Sequence, residues 1–147
     1  MFETVVIATD GSESVQRAIA VATDFAERFG ATVHALSVVD TDEVEGAPES
    51  VREDLRAALA ENADVAAEEV ADWLDGEVVT AVREERPAPE ITDYASEEDA
   101  DVVAMGTRGR HGENRFLIGS VAERVVRTCP VPVLTVRQLD GVTSDND

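Results

Sequence analysis

Short apolar runs and longer amphipathic runs alternate along the chain. Thr4-Val5-Val6-Ile7-Ala8-Thr9 is a continuous β-prone run without a polar face, the pattern of a central strand covered on both sides. After the turn Asp10-Gly11-Ser12, the residues Val15, Ala18, Ile19, Ala22, Phe25, Ala26 and Phe29 recur at helical spacing and predict one inward stripe, which Gly30 stops. Thr32 to Val39 predicts the second strand, and Thr41 to Pro48 reads as a flexible loop able to lie over the same edge of the sheet. Ser50 and Glu53 have capping-box spacing at the head of a long helix ending at Gly76, with Val51, Leu55, Ala58, Leu59, Val65, Ala66, Val70, Trp73 and Leu74 expected inward. Glu77 to Val82 predicts a third strand, Pro89 to Glu98 a short helix started by proline, and Asp101 to Met105 a fourth strand. A helix opening at Ser120 and the run Pro132-Val133-Leu134-Thr135-Val136 complete the pattern. Residues 139–147 read as a frayed acidic tail, which leaves residues 1–138 as one folded domain.

Strands separated by helices require crossover connections, and crossovers make neighbouring strands parallel. The expected fold is therefore α/β: a single doubly wound domain, a five-stranded parallel sheet with helices on both faces. Ligands of such sheets bind beyond the carboxyl ends of the strands, where the strand order reverses. Two strand ends carry loop chemistry, Thr9-Asp10-Gly11-Ser12 after the first and Gly106 onward after the fourth. If those strands are neighbours, Asp10 faces the glycine loop across a crevice.

That loop runs Gly106-Thr107-Arg108-Gly109, then nine residues, then Gly119-Ser120. Glycine lacks a Cβ, so main-chain N–H groups can approach an anion closely, and the helix opened by Ser120 offers free N–H groups and a favourable dipole. The segment reads as a nucleotide phosphate cradle. Alternatives stay open residue by residue: Gly106 and Gly109 can serve tight turns alone, Ser120 can be a plain N-cap, and Asp10 can cap the first helix.

Charge sharpens the reading. The chain of 147 residues carries a net charge of −20, yet between Gly106 and Arg127 five arginines (108, 110, 115, 124, 127) stand against two glutamates (113, 123), a local +3. A basic island in an acidic chain suggests a bound anion. Every basic residue is Arg, which removes the lysine of a Walker-type loop and the amine of Schiff-base chemistry. Binding to nucleic acid or to anionic membrane is disfavoured by the overall charge. With no apolar run near membrane-spanning length and a strand pattern at the N-terminus, neither a span nor a signal peptide is expected, and a cytoplasmic protein is inferred. Acid excess of this size self-repels in dilute salt but is screened at about 1 M, where the Debye length is about 3 Å, so a salt-rich cytosol is expected. Cys129 is the single cysteine and reads as a small hydrophobe or a reactive thiol; His34 reads as a polar strand position, and His111 lies in the glycine loop, within reach of a phosphate or metal.

From Val5-Val6-Ile7-Ala8-Thr9-Asp10-Gly11-Ser12 through Ala100-Asp101-Val102-Val103-Ala104-Met105-Gly106 to Cys129-Pro130-Val131-Pro132-Val133-Leu134, the chain resembles the universal stress proteins of the ATP-binding subgroup. Gly106, Gly109, Gly119 and Ser120 fit that family's nucleotide motif without a gap. The resemblance implies a Rossmann-like fold of the adenine nucleotide alpha hydrolase type, binding ATP, ADP or AMP with Mg²⁺ or Mn²⁺. It implies that Asp10 reaches the ribose and metal region, that backbone near Ala8, Thr9 and Val39 meets adenine, and that Met105 and Gly106 close the sugar side. Gly109, Gly119, Ser120 and Val121 would hold the phosphates, and Arg108, at a variable position of the loop, can add a charge to them. Two positions depart from the family's habit, Ala8 where a proline is common and Glu85 where a glycine is usual; neither belongs to the phosphate motif.

The function expected is a nucleotide-dependent regulatory or stress-response switch with weak or no ATPase activity. A slow phosphotransferase or hydrolase of related fold is the alternative; arginines supply cations, but apart from Asp10 no carboxylate is placed by the motif to orient water. A homodimer is expected through Val133 to Val136, an uncharged strand at the sheet edge whose pairing the resemblance also implies.

Overall fold

The computed structural model describes residues 2–108 and 118–139. Its strands are β1 (Thr4–Ala8), β2 (Thr32–Asp40), β3 (Val78–Glu85), β4 (Val102–Gly106) and β5 (Val133–Val136), all parallel, in the order β3-β2-β1-β4-β5. The helices are α1 (Gln16–Phe29), α2 (Thr41–Glu45), α3 (Arg52–Ala71), α4 (Pro87–Glu97) and α5 (Ser120–Thr128). The expected doubly wound α/β sheet is present, and the order reverses between β1 and β4, which are neighbours.

Strand alternation divides the core into two layers. Val5 and Ile7 of β1 face the side covered by α1 and α3, together with Val33, Ala35 and Ala104. Val6 and Ala8 face α4 and α5, with Leu36, Val103 and Met105. The continuous apolar runs of the central strands follow from this double cover, since neither face meets water.

At the opposite end of the sheet from the crevice, Asp101 aligns the two central strands. Its Oδ2 accepts the N–H groups of Glu3 and Thr4 at 2.8 and 2.9 Å, and its own N–H donates to the Thr4 carbonyl at 2.8 Å. The pairing Val5↔Val102 through Ile7↔Ala104 follows directly. Beyond β5, the chain turns back onto α1: the Arg17 N–H donates to Gln138 Oε1 and Arg17 Nη1 to the Arg137 carbonyl, each at 2.9 Å.

Several expectations are corrected. Residues Thr41–Glu45 form a helix rather than a loop, capped by Asp40, whose side chain accepts the Asp42 N–H. The Ser50–Glu53 capping box does not form; a 3-10 turn at Glu49–Val51 leads into α3, and no side-chain cap closes either start. That helix ends at Ala71, short of Gly76, and of its expected inward set Leu59, Ala66 and Val70 are buried while Val51, Ala58, Val65 and Trp73 are exposed. β3 continues to Glu85, and α4 starts at Pro87. Phe29 is 55% exposed, although its ring meets those of Phe2 and Phe25. His34 is buried beneath α4, with Nδ1 2.7 Å from the Tyr94 hydroxyl. Cys129 is partly buried and packs on the α4–α5 layer.

Candidate functional site

Three strand ends build the crevice at the order reversal. After β1, the Thr9 N–H donates to the Leu36 carbonyl at 2.9 Å, continuing the ladder by one step. Two side chains then fold the loop on itself: Thr9 Oγ1 accepts the Gly11 N–H at 3.1 Å and Asp10 Oδ1 accepts the Ser12 N–H at 2.9 Å. Gly11 has φ 77°, and a Cβ there would lie 3.1 Å from Ala66 Cβ on α3. Glycine is required at this position by conformation and by space.

After β4, Gly106 lies so close to the 3-10 turn preceding α1 that a Cβ would stand 2.9 Å from the Ser14 carbonyl oxygen. The Thr107 N–H donates to the Val136 carbonyl at 3.3 Å, and the Thr107 carbonyl accepts the Gly119 N–H, closing the neck of the loop. Gly119 is the extended N-cap of α5, and its carbonyl accepts the Glu123 N–H at 2.9 Å. The N–H groups of Ser120, Val121 and Ala122 precede that bond, so by position they have no intrahelical acceptor. After β2, α2 is held by Val44, which is 1% exposed and packs with Val39, Leu59 and Ala63.

The resulting cavity measures about 650 Å³ and is lined by Ala8, Thr9, Asp10, Val39, Met105, Gly106, Arg108, Gly119, Ser120 and Val121, ten of the residues singled out in the sequence. Gly109 lies outside the described residues, as do Arg110, His111 and Arg115. Arg124 and Arg127 are corrected: both are exposed on α5 away from the cavity, and Arg127 Nη2 pairs with Glu123 at 2.6 Å. Of the described arginines of the basic island, Arg108 alone lines the cavity.

Sequence reasoning missed a second set of lining residues. Leu36 and Val38 on β2 and Pro87 and Ile91 on α4 give apolar walls, while Asp40, Asp42 and Glu43 add carboxylates. Proline at the start of a helix was a usable signal for α4, and the segment from Thr41 to Pro48 was expected over this edge, though as a loop and not as the helix that docking on α3 makes of it. Among the described residues, no group of three or more His, Cys, Asp or Glu side chains is arranged to hold a metal ion. The cavity thus combines apolar walls, carboxylates that include Asp10, one arginine and the N-terminus of a helix, a lining able to take a ligand with both an apolar and an anionic part.

A model of the universal stress protein family matches residues 1–137. The chain is 37% identical over 142 residues to a universal stress protein of Methanocaldococcus jannaschii, an alignment covering 94% of this chain and 84% of that one. Among solved structures, it is similar to the protein MJ0577, with a TM-score of 0.83 and 27% identity over 96% of this chain and 99% of the other. It shares its fold with a universal stress protein solved in complex with cAMP, with a TM-score of 0.65 and 23% identity over 94% of this chain and 98% of that one.

Proposed function

The chain belongs to the universal stress protein family, and on that footing we propose that it is an adenine-nucleotide-binding protein working as a regulatory switch rather than as an efficient enzyme. The observation that carries the reading is the meeting, at the order reversal, of the α5 N-terminus with Asp10 and an apolar-walled cavity. ATP, ADP or AMP would place its base against the end of β2 near Val39, Ala8 and Thr9, and its ribose hydroxyls toward Asp10. Met105 and Gly106 would close the sugar side. Gly119, Ser120 and Val121 would donate to the phosphates, with Arg108 adding charge and Gly109 extending the cradle. Mg²⁺ or Mn²⁺ bound to the nucleotide would neutralise phosphate charge near Asp10. The protein of the same fold solved with cAMP supports an adenine nucleotide as the ligand class.

Efficient hydrolysis requires a group held to orient water. Asp10 is the carboxylate nearest that role, and its Oδ1 is engaged in the turn to Ser12. Turnover is therefore expected orders of magnitude below the roughly 10 per second of a typical enzyme. The unit that acts is residues 1–138, paired through β5 in a homodimer and operating in the cytoplasm without nucleic acid or membrane as partner.

Nucleotide extracted from the purified protein and identified by mass spectrometry tests the ligand class. Calorimetry on Gly119→Val tests the site: branched methyls at the mouth of α5 should weaken ATP at least tenfold, about 1.4 kcal/mol. Equal affinity in that variant would refute the cradle, and steady turnover near the typical value, abolished by Asp10→Asn, would favour the slow hydrolase instead.

A further inference from the structure

The crevice is charged unevenly along its length. Arg108 and the α5 N–H groups lie at the β4 end, whereas Asp40, Asp42 and Glu43 line the β2 end. Asp40 finishes β2 and caps α2, its Oδ1 accepting the Asp42 N–H at 3.0 Å, and buried Val44 pins α2 against Leu59 and Ala63. The carboxylates of Asp42 and Glu43 are thus carried by a docked helix.

Among the described residues, neighbouring cations leave these charges largely in place. Arg86 Nε is 3.9 Å from Asp42 Oδ2, with both side chains more than half exposed, a geometry that neutralises little. Arg52 turns its guanidinium to the carbonyls of Glu45 and Ala47. Arg56 pairs with Glu53 and Glu84, and Arg83 with Glu90 and Glu97. A cleft with low-dielectric walls focuses whatever field remains.

We propose that Asp40, Asp42 and Glu43 make the β2 end of the crevice an electrostatic filter. It admits a neutral or cationic group on the part of the base that reaches this end and turns away an anionic one. The inference rests on the nucleotide reading above and adds to it the residues that select among nucleotides. Asp40 also holds α2 in place, so the test spares it and neutralises the other two.

The experiment is calorimetry at low salt with AMP, with AMP bearing a cationic aminohexyl group on the base amine, and with AMP bearing an anionic succinyl group there. The native protein should bind the cationic form at least as tightly as AMP and the anionic form about tenfold or more less tightly. In the Asp42→Asn/Glu43→Gln double variant, and in the native protein at about 1 M KCl, the gap between the two analogues should narrow to about threefold or less. Equal binding of both analogues by the native protein, or an unchanged gap in the double variant, overturns the filter while leaving the nucleotide site standing. If AMP itself does not bind, the nucleotide reading falls and this inference falls with it.

Discussion

Asp101 and Thr4 hold each other twice: the Asp101 carboxylate accepts the Thr4 N–H at 2.9 Å, and the Thr4 carbonyl accepts the Asp101 N–H at 2.8 Å. These bonds, with the one from the Glu3 N–H, keep the Asp101 carboxyl below the ordinary carboxylate range. A depressed folded pKa contributes stability above the unfolded value, about 3.9, and loses it as pH falls through the folded value. Asp101→Ala should therefore melt earlier than the native protein at neutral pH, and the difference should close as pH drops below the carboxylate range. A deficit that persists undiminished in strong acid would contradict this account.

Tyr94 is the single tyrosine of the chain, which makes its ionisation directly readable by ultraviolet titration. Burial, reinforced by Glu98, pushes its phenol up, so phenolate should appear above the ordinary value of about 10. The neutral phenol's contribution to stability is full below about pH 10 and declines as pH rises toward the folded value. Tyr94→Phe removes the partner of buried His34 Nδ1 and should cost about 1–3 kcal/mol in denaturant unfolding near neutral pH. An unchanged midpoint would mean that His34 finds another partner.

Gly106→Ala puts a methyl where the Ser14 carbonyl oxygen lies 2.9 Å away. Backbone is the obstacle, so the strand end must shift, at a cost of about 1–3 kcal/mol. Because β4 ends in the proposed phosphate loop, nucleotide affinity should fall along with stability. An alanine variant of native stability would show that the 3-10 turn gives way freely.

The free edge of β5 can be tested at one residue. The carbonyls of Pro132 and Val136 accept the N–H groups of Val103 and Thr107, so Val133 and Thr135, which alternate with them, turn their N–H and C=O groups toward the open side. Thr135→Pro should remove an outward donor without touching a β4 bond. Light scattering should give twice the chain mass for the native protein and the single chain mass for the variant; a native monomer at micromolar concentration would refute pairing through β5.

A melting series in KCl reads the proposed adaptation to salt. With a net charge of −20, stability should climb steeply toward about 1 M as self-repulsion is screened. A flat series would detach the acidic composition from any salt-rich setting.

The strands were legible because burial on both faces leaves no polar alternation to confuse: Val5, Val6 and Ile7 could only be interior. The crevice was legible because the glycine loop and Asp10 follow the carboxyl ends of β4 and β1, and the order reversal makes those two strands neighbours. Thr41–Glu45 was not, since its one core residue, Val44, becomes apolar anchorage only when Leu59 and Ala63 arrive from α3. Arg83, Glu84 and Glu85 hid the end of β3, an edge strand whose charges remain at least partly open to water. Val65 misled by composition, since a long helix lying on one face of a sheet buries a narrower stripe than its apolar residues offer, and Trp73 misled because the helix stops at Ala71, before reaching it.

Arg17 lies in the first turn of α1, yet its bonds run to Arg137 and Gln138, on the far side of β5. Local opening of that turn breaks both. One 3-10 turn, Glu13–Val15, separates it from the loop that carries Asp10, so the amide protons of that loop and of the segment after β5 should exchange with solvent together. Hydrogen exchange that slows or quickens at both places together would show the mouth of the crevice coupled to a segment more than a hundred residues away in sequence.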